Sequence, residues 1–171
     1  MNDLKITAKI FYYLTALSFC LWIGGYVGKL LTIFRLFEPE TMALKSYFQV
    51  SELSQAMSLL LPLIIYNLIT YAASLICFLV FLVTSKFNLK NEGWLFIITV
   101  IILITLPFEV YLSKLDYNFV IKVLSNNYNV NEIIEILRQR IIKLGSFPLI
   151  EVFAYFAALS LFLFKPFRKT L

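Results

Sequence analysis

Four stretches of the chain stay apolar long enough to cross a lipid bilayer, at about residues 10–34, 57–83, 94–112 and 147–164. A hydrocarbon core of about 30 Å requires roughly 20 residues at a rise of 1.5 Å. Each stretch is expected to be helical, because hydrocarbon offers no partner to an unpaired backbone amide, and none alternates as a barrel strand would. The short polar link 84–93 makes the second and third runs an antiparallel hairpin.

The polar segment 113–146, between the third and fourth runs, is too large for a turn and has an order of its own. Asn129 or Asn131 suits a helix N-cap, Glu132 and Glu135 its first turns, and Arg138, Arg140 and Lys143 its last. Ile133, Ile134, Leu137, Ile141 and Leu144 recur at helical spacing and predict an amphipathic helix over about 131–144. That helix either lies on the membrane surface or extends the fourth crossing outward, with Gly145 and Pro148 as the hinge. The expected fold class is all-α: an integral membrane four-helix bundle in one domain, 1–171, with an extra amphipathic helix between helices 3 and 4.

Composition sharpens this picture. Of 171 residues 61% are hydrophobic and only 15% charged, with a mean hydropathy of +0.86, whereas a soluble domain carries roughly 25% charged residues. The net charge of +5 is scattered over helix ends rather than gathered in a patch, which points to the headgroups of a lipid bilayer and away from nucleic acid. Lys5 and Lys9 precede the first run, but its continuation and the lack of an A-x-A-like site argue for a retained helix over a cleaved signal. Lys5, Lys9, Lys86, Lys90, Lys165, Arg168 and Lys169 flank the runs on one side, so both termini are expected to be cytoplasmic, in the inner membrane if the source is bacterial. There is no histidine, hence no His-ligated haem or metal and no His-based proton relay, and no cofactor is expected. Cys20 and Cys77 read as small buried hydrophobes rather than a disulfide.

A charge inside a membrane span is costly, so Lys29, Glu109 and Glu151 require explanation. Lys29 lies about 28 Å along the first run, Glu109 about 22 Å along the third, and Glu151 about 6 Å into the fourth, so all three fall in the outer leaflet. This predicts an outward-opening polar pocket, with Arg140 as a lid or counter-charge, Gln55 and Ser58 at the same level, and Tyr26 and Tyr111 offering hydroxyls. A Lys–Glu pair that only fixes helix register, or a Lys29 that snorkels to headgroups, is the plainer alternative. Pro107 and Pro62 are positioned to open space by kinking their helices. Asn67 and Thr70 lie deeper and suit hydrogen bonds between helices, while the Gly24 to Gly28 spacing invites close backbone packing. Trp22 and Trp94 suit packing or interfacial anchoring.

The run Leu21-Trp22-Ile23-Gly24-Gly25 resembles the start of the first helix in anthrone-oxygenase-like and copper-resistance-D-like membrane proteins. Leu106-Pro107 closing the third helix, a long polar loop, and Arg138-Gln139-Arg140 leading into 154–161 are similar in order to the anthrone-oxygenase-like group. The resemblance implies four-helix topology. It does not extend to chemistry: Glu109 stands where that group has a different polar residue, and its histidine after the arginine motif is missing, as are the metal ligands of the copper type. The leading expectation is a non-enzymatic accessory subunit or binding protein, with a membrane-protein partner or a second copy of itself. Its rivals are an enzyme acting on a lipid- or quinone-like substrate and a small ion-coupled transporter. The transporter reading is weakened by the lack of a charged relay between Asn67 and the cytoplasm.

Overall fold

The structure, a computed structural model, describes residues 5–46, 48, 50–87, 89, 92–125, 129–143 and 147–166, the side chains of 50–52 and 54 excepted. Among these residues there are five helices and no strand: α1 (Ile6–Leu36), α2 (Val50–Ser85), α3 (Gly93–Leu124), α4 (Val130–Ile142) and α5 (Phe147–Phe164). Four of them, all but α4, are long and apolar enough to cross a membrane. Only about a third of each apolar window is buried within the protein, so large hydrophobics such as Leu17, Leu31, Ile69, Ile76, Leu103 and Phe153 face outward. Water would penalise such a surface, and acyl chains would not.

The first three helices are longer than their apolar runs, because bilayer thickness limits the run and not the helix. The largest extension is at α3, which continues through residues 113–124 expected to be loop. Pro107 accordingly sits inside α3 rather than closing it, as Pro62 sits inside α2. Hydroxyls within the helices are satisfied locally, for example Thr15 Oγ1 on Phe11 O at 2.6 Å and Thr99 Oγ1 on Leu95 O at 2.8 Å. Lys86 and Lys165 follow α2 and α5 in left-handed conformation, φ 54° and 49°, the cap geometry more often given to glycine. Lys165 N–H closes α5 on Leu161 O at 2.9 Å.

The chain divides into two compact units. The first comprises Met1–Gly24, Ile69–Pro107 and Leu149–Leu171, and so holds both chain ends; the second comprises Gly25–Leu68 and Phe108–Pro148. Aromatic contacts join the helices of the first unit. Tyr12 stacks on Phe162 with centroids 4.4 Å apart, and its hydroxyl donates to Phe162 O at 2.7 Å. Trp22 packs against Tyr71 and Tyr155, and Tyr155 shares a 2.9 Å hydrogen bond with Thr105. Trp94 is buried against Phe87 and Phe162 and donates to Glu92, so both tryptophans serve packing rather than an exposed interfacial belt. Lys165 Nζ lies 4.1 Å from the Tyr12 centroid, a cation–π contact worth about 0.5–2 kcal/mol. Both cysteines are free; Cys20 faces outward and is not the buried residue expected.

In the second unit, α4 forms over the amphipathic segment. Its N-cap Asn129 accepts from Asn131 N–H at 3.1 Å. Ile133, Leu137 and Ile141 are buried in a core with Ile33, Leu36 and Phe37, with Leu53, Met57, Leu60 and Ile64 of α2, and with Phe119 of α3. The apolar face of α4 is thus covered by protein. The proposed hinge at Gly145 lies outside the described residues. After α1 the chain folds back in a tight hairpin, Glu38 N–H to Ala43 O at 2.9 Å, with Met42 at φ 51°.

Close packing falls at Gly25, not at Gly24 or Gly28. A Cβ on Gly25 would meet the Tyr66 ring at 2.7 and 2.9 Å, whereas one on Gly24 or Gly28 meets nothing within 4 Å. Thermal unfolding in detergent should therefore rank Gly25→Ala below Gly28→Ala by about 1–2 kcal/mol, since only the former must displace a ring. Equal midpoints would show that Tyr66 yields freely.

Candidate functional site

Four helices of the second unit each turn a polar side chain inward. Tyr26, Lys29, Leu30 and Ile33 share the buried face of α1, and Glu109, Leu112, Asp116 and Phe119 form the corresponding stripe of α3, both at helical spacing. α2 contributes Asn67 and α4 contributes Arg140. Lys29, Glu109, Asp116 and Arg140 are only 1–3% exposed.

Asp116 is the centre of the group. Its Oδ2 accepts from Lys29 Nζ at 2.8 Å, and its Oδ1 lies 3.2 Å from Arg140 Nη1. Lys29 Nζ also donates to Asn67 Oδ1, a hydrogen bond between α1 and α2. Arg140 Nη1 reaches Leu112 O at 3.5 Å. The Tyr26 ring faces both cations, 4.9 Å from Lys29 Nζ and 5.7 Å from Arg140 Cζ, so its π-face adds to their stabilisation.

Two cations against one carboxylate would leave a net positive charge in a buried place. Glu109 supplies the second negative charge and acts electrostatically on Lys29. It does so without a contact: its Oε1 is buried and has no hydrogen-bond partner among the described residues. Asp116 is saturated by two cations, whereas Glu109 retains an acceptor aimed into the interior. A buried acceptor left unmade costs about 1–3 kcal/mol, more for a charged one.

The residues expected from sequence divide as follows. Lys29, Arg140 and Tyr26 meet in the cluster, and Glu109 borders it. Glu151 is buried in α5 within the first unit. Gln55 and Ser58 are exposed on α2 and do not join the cluster. Tyr111 is half-buried beneath Lys143, whose Nζ lies 5.8 Å from its ring, and its hydroxyl does not serve a carboxylate among the described residues. Asp116, within the segment expected to be loop, and Asn67, expected to serve helix packing, are the two cluster residues that the expected pocket lacks. Among the described residues no group of three or more Cys, Asp or Glu converges as a metal ion would require.

No protein-family model matches the chain, and neither a curated protein nor a solved structure matches it. The chemistry of the site rests on its own residues.

Asp116→Asn should lower stability by about 3–5 kcal/mol, because it takes away the one carboxylate that bonds both buried cations and leaves them only the distant Glu109. Lys122→Ala breaks an ion pair to Glu132 whose members are 41% and 55% exposed and should change it by under ~1 kcal/mol. Thermal unfolding of the two variants in one detergent checks the contrast; similar losses would mean that the buried cluster is not a stabilising element.

Proposed function

We propose that this chain is a multi-pass membrane protein with both termini cytoplasmic, acting as a non-enzymatic binding protein or accessory subunit whose ligand site is the Lys29–Asn67–Glu109–Asp116–Arg140 cluster. Membrane placement is supported by the four long apolar helices and their outward apolar faces. Orientation is supported by the basic residues flanking the chain ends and the link between α2 and α3.

One observation carries the binding function: a buried Glu109 oxygen with no hydrogen-bond partner among the described residues, on the same helix as Asp116, whose two oxygens are both engaged by cations. A purely structural ion network gains by closing on itself, and this one closes around Asp116 while leaving Glu109 open. The group that completes Glu109 must bring a hydrogen-bond donor, as a protonated amine or a hydroxyl does. Asn67, Lys29 and Arg140 stay on Asp116 and its surroundings, so their task is to hold the site in register. Because the charged side chains are closed off from the surface, entry requires α4 to give way, and Arg140 on Asp116 is its latch.

Native mass spectrometry of the full-length protein released from lipid nanodiscs tests this. The wild type should retain a small donor-bearing molecule, and Glu109→Gln should lose it at a stability cost clearly smaller than that of Asp116→Asn, since Glu109 balances the charge from a distance whereas Asp116 bonds both cations. Unaltered retention in Glu109→Gln, or a stability loss matching that of Asp116→Asn, would sink the reading, since Glu109 would then be either irrelevant or merely structural.

A further inference from the structure

A second feature of the same unit stands apart from the charge cluster. Between the last turns of α1 and the first turns of α2 lies a groove of about 300 Å³, lined by Thr32 and Arg35 of α1, Phe48 of the connecting segment, and Ala56, Leu59 and Leu60 of α2. The volume is at the lower end of the range for ligand pockets, roughly 300–1,000 Å³, which suits one chain of a lipid rather than a whole lipid or a folded partner.

The walls differ sharply in character. Phe48, Ala56, Leu59 and Leu60 make one side apolar, and Leu59 is 74% exposed, so the groove presents hydrocarbon to its surroundings. Arg35 stands at the other side, exposed, in the final turn of α1 where the apolar run gives way to Glu38 and Glu40. It pairs with no acid among the described residues, in contrast with Arg138 and Lys122, which each have a carboxylate on the surface. A helix C-terminus would ordinarily repel an anion through its free carbonyls. Here Leu36 O accepts from Lys45 N–H at 3.1 Å and Phe34 O from Phe37 N–H at 3.3 Å, so the nearby carbonyls are partly satisfied and the guanidinium sets the local charge.

We infer that this groove binds one anionic phospholipid, its phosphate held by the Arg35 guanidinium and one acyl chain laid along Phe48, Ala56, Leu59 and Leu60. A guanidinium fork matches two phosphate oxygens, and the apolar wall begins where that phosphate ends. Thr32 spends its hydroxyl proton on Gly28 O at 2.8 Å, so it lines the groove without donating to the phosphate. The inference rests on the membrane placement proposed above and not on a ligand at Glu109.

The test uses full-length protein in nanodiscs of equal phosphatidylcholine and phosphatidylglycerol, released for native mass spectrometry. The wild type should keep one phosphatidylglycerol in preference to phosphatidylcholine. Arg35→Ala should reduce that preference about fivefold, the equivalent of ~1 kcal/mol for one basic contact, and Arg35→Lys should retain most of it. Ala56→Trp, which fills the groove, should lower retention of both lipids. Should that variant fail to fold, Leu59→Trp serves in its place, because a side chain so exposed is not needed by the core. An unchanged lipid ratio in Arg35→Ala overturns the inference, as does undiminished retention in the filled groove. A second copy of the chain retained in place of lipid also overturns it, since the groove would then be a dimer contact. A wild type that retains no donor-bearing molecule yet keeps its lipid preference would overturn the proposed function and leave this one standing.

Discussion

Asp116, held between Lys29 and Arg140, is the contact on which the second unit depends. An isolated charge in a low-dielectric interior is costly enough that Lys29 could not remain ionised there alone. The pairing therefore fixes geometry as well as charge. α3 must extend past its apolar run to deliver Asp116, and α1 must turn Lys29 toward it. α4 must dock with Arg140 inward while Ile133, Leu137 and Ile141 enter the core. A shift of α3 by one residue would rotate Asp116 by about 100° and break both contacts. Apolar contacts alone tolerate such shifts, because one aliphatic side chain substitutes readily for another. The ion pairs therefore set register, and the apolar contacts fill it.

The first unit is held by different means. If the outward apolar faces meet lipid, as proposed, the helices gain little by hiding apolar surface from one another, since hydrocarbon is as good a neighbour. Shape and polar closure must do more. Tyr12, Phe81, Trp94 and Phe162 form a ring cluster with stacked and edge-on pairs, an arrangement worth about 0.5–1.5 kcal/mol per pair beyond area. Two of the phenols close hydrogen bonds between helices, Tyr12 on Phe162 O and Tyr155 with Thr105. Lys165 ends the unit by placing its ammonium over Tyr12 and Trp94, which ties the end of α5 to α1 and α3.

The long helices were legible because apolar runs of about 20 residues have few ways other than a helix to satisfy their backbones, so hydropathy located four of them and helical spacing located α4. Their ends were less legible. Taking α3 to stop at residue 112 placed Asp116 in a loop, although Leu112, Asp116, Phe119 and Val123 already continued the helical stripe. The charge interrupted an otherwise apolar face and was read as its end. The same error hid the site's centre: once Asp116 was set aside, Glu109 and Glu151 were the remaining acids to set against Lys29. Arg140, expected as a lid or counter-charge, lies beside Leu137 and Ile141 on the face of α4 that the core covers, and enters the cluster with them. Gly25 was passed over for Gly24 and Gly28 because spacing reveals which glycines share a face, and not which face meets a neighbour.

Glu109 and Asp116 occupy one stripe of one helix, within about 11 Å by helix rise, yet differ in what they leave open. Asp116 has both oxygens engaged by cations, and removing it would strand two charges. Glu109 balances the cluster from a distance, so the neutrality of the group does not depend on any single bond that it makes. An acid in that position is free to accept a further donor without dismantling the ion pairs around Asp116. A leucine there would remove the balancing charge and leave the two cations against Asp116 alone. On the reading proposed above, the open oxygen of Glu109, rather than the tighter Lys29–Asp116 pair, is where a ligand would complete the cluster.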